Sequence, residues 1–226
     1  MARVTKVSDY VIEFLKKSQV KNIFTVSGGG SMHLIDSIGK SDINFVCTHH
    51  EQAAAMAAEG DARMGGISAV VVTTGPGGTN TLTGILGSWL DSIPVIYISG
   101  QVPTSQLSAG TGCRQIGDQE FDIISVVKSI TKYAVMIEDK NEIKYHLEKA
   151  YVKATTGRPG PVWIDIPLDI QGASINEDSL EGFSDPPERP IATPSDIEFI
   201  KQKLRLSKKP VVVVGSGIRR SKAVHR

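Results

Sequence analysis

"SAVVVTTGPGGTN", residues 68–80, decides the fold class of this chain. Its centre, Ala69 to Val72, is continuously apolar, with no polar alternation, as in a strand buried on both faces of a sheet. Gly75, Gly77 and Gly78 then break the run, and a helical pattern covers 79–90. The same order recurs outward along the chain. Strands are expected at "NIFTVS" (22–27), "INFVCT" (43–48), "PVIYISG" (94–100) and "PVWIDIP" (161–167). Helices are expected over 5–18, 31–39, 50–64 and 140–156, and "FDIISVVKSITKYAVMI" (121–137) reads as a short helix running into a strand. Strands alternating with helices imply an α/β fold, a parallel sheet flanked by helices on both sides.

The totals narrow the functional classes. The 226 residues are 40% hydrophobic, enough for a sizeable core. Lys and Arg number 25 against 24 Asp and Glu, and a net charge of +1 gives no footprint for nucleic acid or an anionic membrane surface. Cys47 and Cys113 are far apart, without a CxxC context, and read as free thiols of a reducing compartment. The N-terminus lacks the apolar core of a signal peptide and is amphipathic instead, with Val7, Val11, Phe14 and Leu15 on one face. No apolar run approaches a membrane span. A soluble, cytoplasmic protein is expected. Composition shifts after 170. Residues 171–194 are polar and carry Pro186, Pro187, Pro190 and Pro194, the pattern of a linker. A helix near 195–206 and a buried strand with a glycine turn in "KPVVVVGSGIRRS" (209–221) then read as the incomplete beginning of a second α/β domain, 195–226.

Four stretches carry chemistry. "SGGGS" (27–31) sits between a strand and a helix. It is either a tight turn or a place where backbone N–H groups approach an anion. "TTGPGGTN" (73–80) is no Walker loop, since no Lys-Ser/Thr follows its glycines. It is a structural turn or a rigid loop suited to a flat ligand edge. Glu51 opens the small-residue helix of "CTHHEQAAAMAAEGDAR" (47–63), either complementing the helix dipole or doing chemistry. His49 and His50 invite a metal reading, but adjacent histidines diverge and no HExxH follows, so no metal ligand is assigned; His33 is treated alike. The start of 110–132 is glycine-rich and polar, a solvated loop or a substrate loop.

Together and in this order the chain resembles the N-terminal, pyrimidine-binding domain of thiamine diphosphate-dependent enzymes of the acetohydroxyacid (acetolactate) synthase and pyruvate oxidase group. The matching residues are "IFTVSGGG", "HHEQAAAMAAEGDAR", "VVVTTGPGGTN", "WLDSIPVIYISGQVP", "DQEFDIISVVKSITKYA" and "RPGPVWIDIPLDIQ". The resemblance implies a pyrimidine-binding domain over 1–170. It implies an enzyme making or breaking a carbon–carbon bond beside the carbonyl of a 2-keto acid. The family's glutamate falls on Glu51, whose carboxylate would hydrogen-bond a ring nitrogen of the aminopyrimidine and so promote proton loss at the thiazolium C2. Ser27, Gly28, Thr74, Pro76 and Asn80 would line the pyrimidine pocket, and Gln119 would join Glu51 in catalysis. The resemblance also implies a homodimer or homotetramer packed through the 50–64 helix. Mg²⁺ on the diphosphate is held in the family by a GDG…N motif that these residues lack, so this chain alone is expected to be inactive; FAD is compatible with the middle domain. Where acetohydroxyacid synthases carry proline and phenylalanine, this chain has Ser27 and Asp118. Both changes bear on the substrate. A ring-opening hydrolase or decarboxylase on the same scaffold, and a silent dimerisation module, are the alternatives.

Overall fold

The computed structural model describes residues 3–184 and 192–221. The chain divides into two units, Met1–Glu188 and Arg189–Arg226. The first unit runs β1 (Val4–Lys6), α1 (Val7–Lys17), β2 (Asn22–Thr25), α2 (Met32–Lys40), β3 (Asn44–Cys47), α3 (Glu51–Gly65), β4 (Ser68–Val72), α4 (Pro76–Thr79), α5 (Leu82–Leu90), β5 (Val95–Gln101), α6 (Ile123–Val127), β6 (Ala134–Met136), α7 (Ile143–Thr155), β7 (Val162–Pro167), α8 (Leu168–Gly172) and β8 (Ser174–Asn176). Six strands form one sheet in the order β3-β2-β4-β5-β7-β6, and every pairing is parallel.

The sheet separates two cores. Ala69 and Val71 of β4 face one core with Val11 of α1, Leu34 of α2 and Leu147 of α7. Val70 and Val72 face the other with Ala54 of α3, Ile85 of α5 and Val127 of α6. Helices on both faces are why β4 tolerates no polar alternation. The smoothness of α3 is used inside the chain. Ala54, Ala55 and Ala58 are fully buried, and a Cβ on Gly84 of α5 would lie 2.5 Å from the Ala55 Cβ. Close backbone approach of α3 and α5 therefore needs small residues on both helices.

Three sequence expectations meet a different outcome. The helix expected over 79–90 begins only at Leu82, as α5, after the separate short α4. Thr81 is buried at the break and its hydroxyl donates to the Gly78 carbonyl at 2.7 Å, a local bond that competes with helix continuation. Folded structure also runs past residue 170 into the expected linker. Strand β8 pairs antiparallel with β1, Ile175 and Leu180 are buried, and the Phe183 amide donates to Glu148 at 2.7 Å. Residues 185–191 of that linker lie outside the described residues. In the second unit, α9 (Pro194–Leu206) opens with a reciprocal capping box between Thr193 and Asp196, and α10 (Gly217–Arg220) follows. The strand expected at 209–214 is not formed, and Val211 to Val214 are 65–92% exposed. No described strand pairs with them, and an unpaired strand has nothing to stabilise it. Residues 222–226 of the expected second domain lie outside the described ones. No helix among the described residues is long and apolar enough to cross a membrane.

Candidate active site

All the site segments named from sequence follow the carboxyl ends of neighbouring strands. Residues 27–31 follow β2, Glu51 follows β3, 73–80 follow β4 and the 102–121 loop follows β5. Those four strands are adjacent in the sheet, in the order β3-β2-β4-β5. A parallel sheet thus gathers four loops on one edge, where open α/β sheets bind ligands.

Glu51 is the first residue of α3 and half-buried. His50 caps that helix: its Nδ1 accepts from the Gln52 amide at 3.1 Å. Among the described residues no cluster of three or more His, Cys, Asp or Glu could hold a metal ion. Asn80 Nδ2 donates to Glu51 Oε2 at 2.9 Å, bringing together two of the residues singled out. A Cβ on Gly77 would lie 2.6 Å from Thr73 Cγ2, a clash, and 3.7 Å from Glu51 Oε1, an ordinary contact.

Thr73 ties the two glycine loops. Its hydroxyl accepts from the Gly30 amide at 3.0 Å, and a Cβ on Gly28 would lie 2.5 Å from the Thr73 Cβ. Gly75 has φ +55, and a Cβ on it would lie 2.4 Å from the Gln119 carbonyl oxygen. Pro76 is exposed at the start of α4, and its carbonyl accepts from the Asn80 amide at 2.9 Å. Gln119 is itself left-handed, φ 57, and its side chain is exposed. Ser27 is exposed beside Gly28 without a hydrogen bond to its side chain among the described residues. Glu120 holds the turn at 117–121 to its own loop, accepting from the Ser108 hydroxyl at 2.7 Å and the Ile116 amide at 2.9 Å; its carboxyl sits below the usual range despite partial desolvation, because backbone N–H groups and the hydroxyl point at it. Asp118 is exposed, and Arg114, the internal partner its charge could have taken, is not paired with it. His33 packs elsewhere: a Cβ on Gly172 would lie 2.9 Å from its Nε2.

Residues 5–126 match the family described as thiamine pyrophosphate enzyme, N-terminal TPP binding domain. The chain belongs to this family. Among curated relatives it is 37% identical over 228 residues to the acetolactate synthase large subunit of Lactococcus lactis, covering 99% of this chain and 39% of the relative. It is 36% identical over 222 residues to a probable acetolactate synthase large subunit of Methanocaldococcus jannaschii, covering 94% and 36%. It is 36% identical over 217 residues to the mitochondrial acetolactate synthase catalytic subunit of Saccharomyces cerevisiae, covering 91% and 31%. The chain thus spans about a third of the length of these relatives.

Beneath the loops, this thiamine pyrophosphate enzyme domain carries a buried polar chain that sequence reasoning did not single out. Thr74 Oγ1 donates to Gln101 Oε1 at 2.7 Å, Gln101 Nε2 donates to Asp165 Oδ2 at 3.0 Å, and Ser99 Oγ donates to Asp165 Oδ1 at 2.5 Å. Trp163 Nε1 donates to Ser99 Oγ at 2.9 Å. Asp165 is 1% exposed, and burial pushes its carboxyl up to about 7 against the opposing pull of the Ser99 and Gln101 bonds. Gln171 of α8, also fully buried, donates to the Gly30 carbonyl at 2.7 Å and to the Ile166 carbonyl at 2.7 Å, leaving its Oε1 unsatisfied. The available signal was a polar residue inside an apolar strand, as in "YISGQV" and "VWIDIP".

Proposed function

We propose that this chain is the pyrimidine-binding part of a thiamine diphosphate-dependent, acetolactate synthase-like enzyme acting on 2-keto acids. The single observation that carries the reading is Glu51, oriented by Asn80 at 2.9 Å on a sheet edge lined by two glycine loops. The residues suit a flat, basic heterocycle. One carboxylate oxygen is engaged by Asn80, the other faces Gly77, and Gly28, Gly30 and Gly77 let the two loops close around Thr73 beside it. When bound, thiamine diphosphate supplies the nucleophilic carbon that adds to a keto-acid carbonyl. Glu51 holds or releases a proton at Oε1, Asn80 fixes the other oxygen, and Ser27, Gly28, Thr74 and Pro76 shape the walls. Gln119 is assigned to the substrate side of the pocket. Mg²⁺ and FAD are assigned to no residue of this chain.

We assign self-association to the outward side of α3 and α5, where Met56, Met64, Leu86 and Leu90 are 43–82% exposed. The cytoplasm remains the compartment of choice, given two free, exposed cysteines. Acetolactate formation from pyruvate by the full-length protein with thiamine diphosphate and Mg²⁺ tests the activity. Folded protein that makes no product from pyruvate or any other 2-keto acid overturns it.

A further inference from the structure

Gln101 ends β5, is 2% exposed and makes every hydrogen bond a primary amide offers. Its Oε1 accepts from Thr74 Oγ1 at 2.7 Å and from the Val102 amide at 3.0 Å. Its Nε2 donates to the Phe121 carbonyl at 3.0 Å and to Asp165 Oδ2 at 3.0 Å. The orientation of the amide is therefore determined: reversed, it would set N–H against the Val102 N–H and oxygen against the Phe121 carbonyl. Asp165 is anchored in turn by Ser99, Ser99 by Trp163, and Trp163 stacks on Tyr97 with centroids 5.7 Å apart. This chain runs from the packed core to two loops of the site. One end reaches the glycine loop at Thr74, the other the turn that carries Gln119.

We propose that Gln101 is a positioning residue, its amide oriented by Asp165, that joins the glycine loop to the Gln119 turn and so fixes Gln119 relative to Glu51. The inference rests on the functional reading above for the role of Gln119. The backbone gives an independent reason for such a joint. Gln119 is a non-glycine residue at φ 57, and such a conformation persists where surrounding contacts over-determine it. Glu120 ties the turn to residues 108 and 116 of its own loop, which does not fix it to the sheet. Thr74 Oγ1 also reaches the Gln119 carbonyl directly, but only at 3.4 Å, whereas its bond to Gln101 is 2.7 Å and Gln101 holds the Phe121 carbonyl at 3.0 Å. Gly75 completes the joint, because its missing side chain lets the Gln119 carbonyl close onto the loop.

Hydrogen exchange by mass spectrometry on the full-length protein without cofactor tests the joint directly. Gln101→Met keeps the volume and removes the amide. It is expected to speed exchange about tenfold in peptides covering both 74–80 and 117–122, with strand peptides of β4 and β5 unchanged. Asp165→Asn retains an acceptor for Nε2 and is expected to keep both segments slow, whereas Asp165→Leu loosens both. If Gln101→Met does not fold, the contrast between Asp165→Leu and Asp165→Asn carries the test. Unchanged exchange, or loosening of one segment alone, overturns the proposal. In the keto-acid assay Gln101→Met is expected to lower kcat about tenfold with KM little changed, and Asp165→Asn to keep wild-type kcat. Joint loosening with unaltered kcat refutes the positioning role and leaves the proposed function standing. Wild-type protein without keto-acid activity overturns that function, and the exchange result still decides whether the joint exists.

Discussion

Replacing Gly100 with alanine should displace the first glycine loop. A Cβ on Gly100 would lie 1.9 Å from the Gly30 carbonyl oxygen, 2.4 Å from the Gly30 carbonyl carbon and 2.7 Å from the Ser31 Cα. All three are backbone atoms, so no rotamer change relieves the clash. An ordinary contact is about 3.5 Å, which requires the loop to retreat by about 1.5 Å. Gly30 is held by two bonds, its amide to Thr73 Oγ1 at 3.0 Å and its carbonyl to Gln171 Nε2 at 2.7 Å. A shift of that size breaks both, at about 1 kcal/mol each. Strain from overpacking adds about 1–3 kcal/mol. The expected loss is about 3–5 kcal/mol, a large share of a typical domain's stability. At about 2–4 °C per kcal/mol for a chain of this size, Tm should fall by roughly 10 °C. Urea unfolding followed by circular dichroism measures the loss. Gly29→Ala is the control, because nothing lies within 4 Å of a Cβ there. A Gly100→Ala loss under about 1 kcal/mol would refute the reasoning, since strain and two bonds together exceed it.

Three further predictions follow from other parts of the molecule. Asp165 is raised from an ordinary 3.8 to about 7, so between those values the folded state holds a proton that the unfolded chain lacks. Wild-type stability is then lost from this group as pH rises across that window. The stability of Asp165→Asn relative to wild type should grow from about pH 4 to 7 and level off above, as read by denaturation at several pH values; a difference that shrinks with pH contradicts this. Asp118 is exposed and not paired with Arg114; on the proposal that it meets the acceptor, Asp118→Phe should raise acetolactate formation relative to the native reaction, and an unchanged product ratio removes Asp118 from specificity. Met56→Asp with Met64→Asp should shift the sedimentation coefficient toward monomer, whereas buried Ala55 and Ala58 cannot test the interface without unfolding α3; an unchanged oligomer moves the contact off this face.

The parts of the fold legible in the sequence are those set by local pattern. β4, β5 and β7 are buried on both faces and read as mostly apolar runs without polar alternation, interrupted by Ser99, Gln101 and Asp165. Glu51 and Asn80 lie in segments that follow strands, so their convergence on one sheet edge follows from a parallel sheet alone. The rest depends on distant partners. β1 is three residues long and its partner β8 begins 168 residues beyond its last residue, so neither has a pattern of its own. Val211 to Val214 have the composition of a buried strand, but a strand also needs a neighbour, and composition does not report one. Gln101 and Asp165 are ordinary polar letters until the sheet sets β5 beside β7 and pairs Gln101 with Pro167 and Ser99 with Asp165.

On the proposed function, Glu51 promotes proton loss from the bound cofactor. The most direct test of this role is deuterium exchange at C2 of thiamine diphosphate, followed by quenched-flow NMR on the full-length protein. Glu51→Gln keeps the shape and the contact with Asn80 but cannot take up or share a proton. Exchange in this variant is expected to be slower by about 10²- to 10⁴-fold, with cofactor affinity largely retained. Exchange at the wild-type rate in Glu51→Gln would contradict that role.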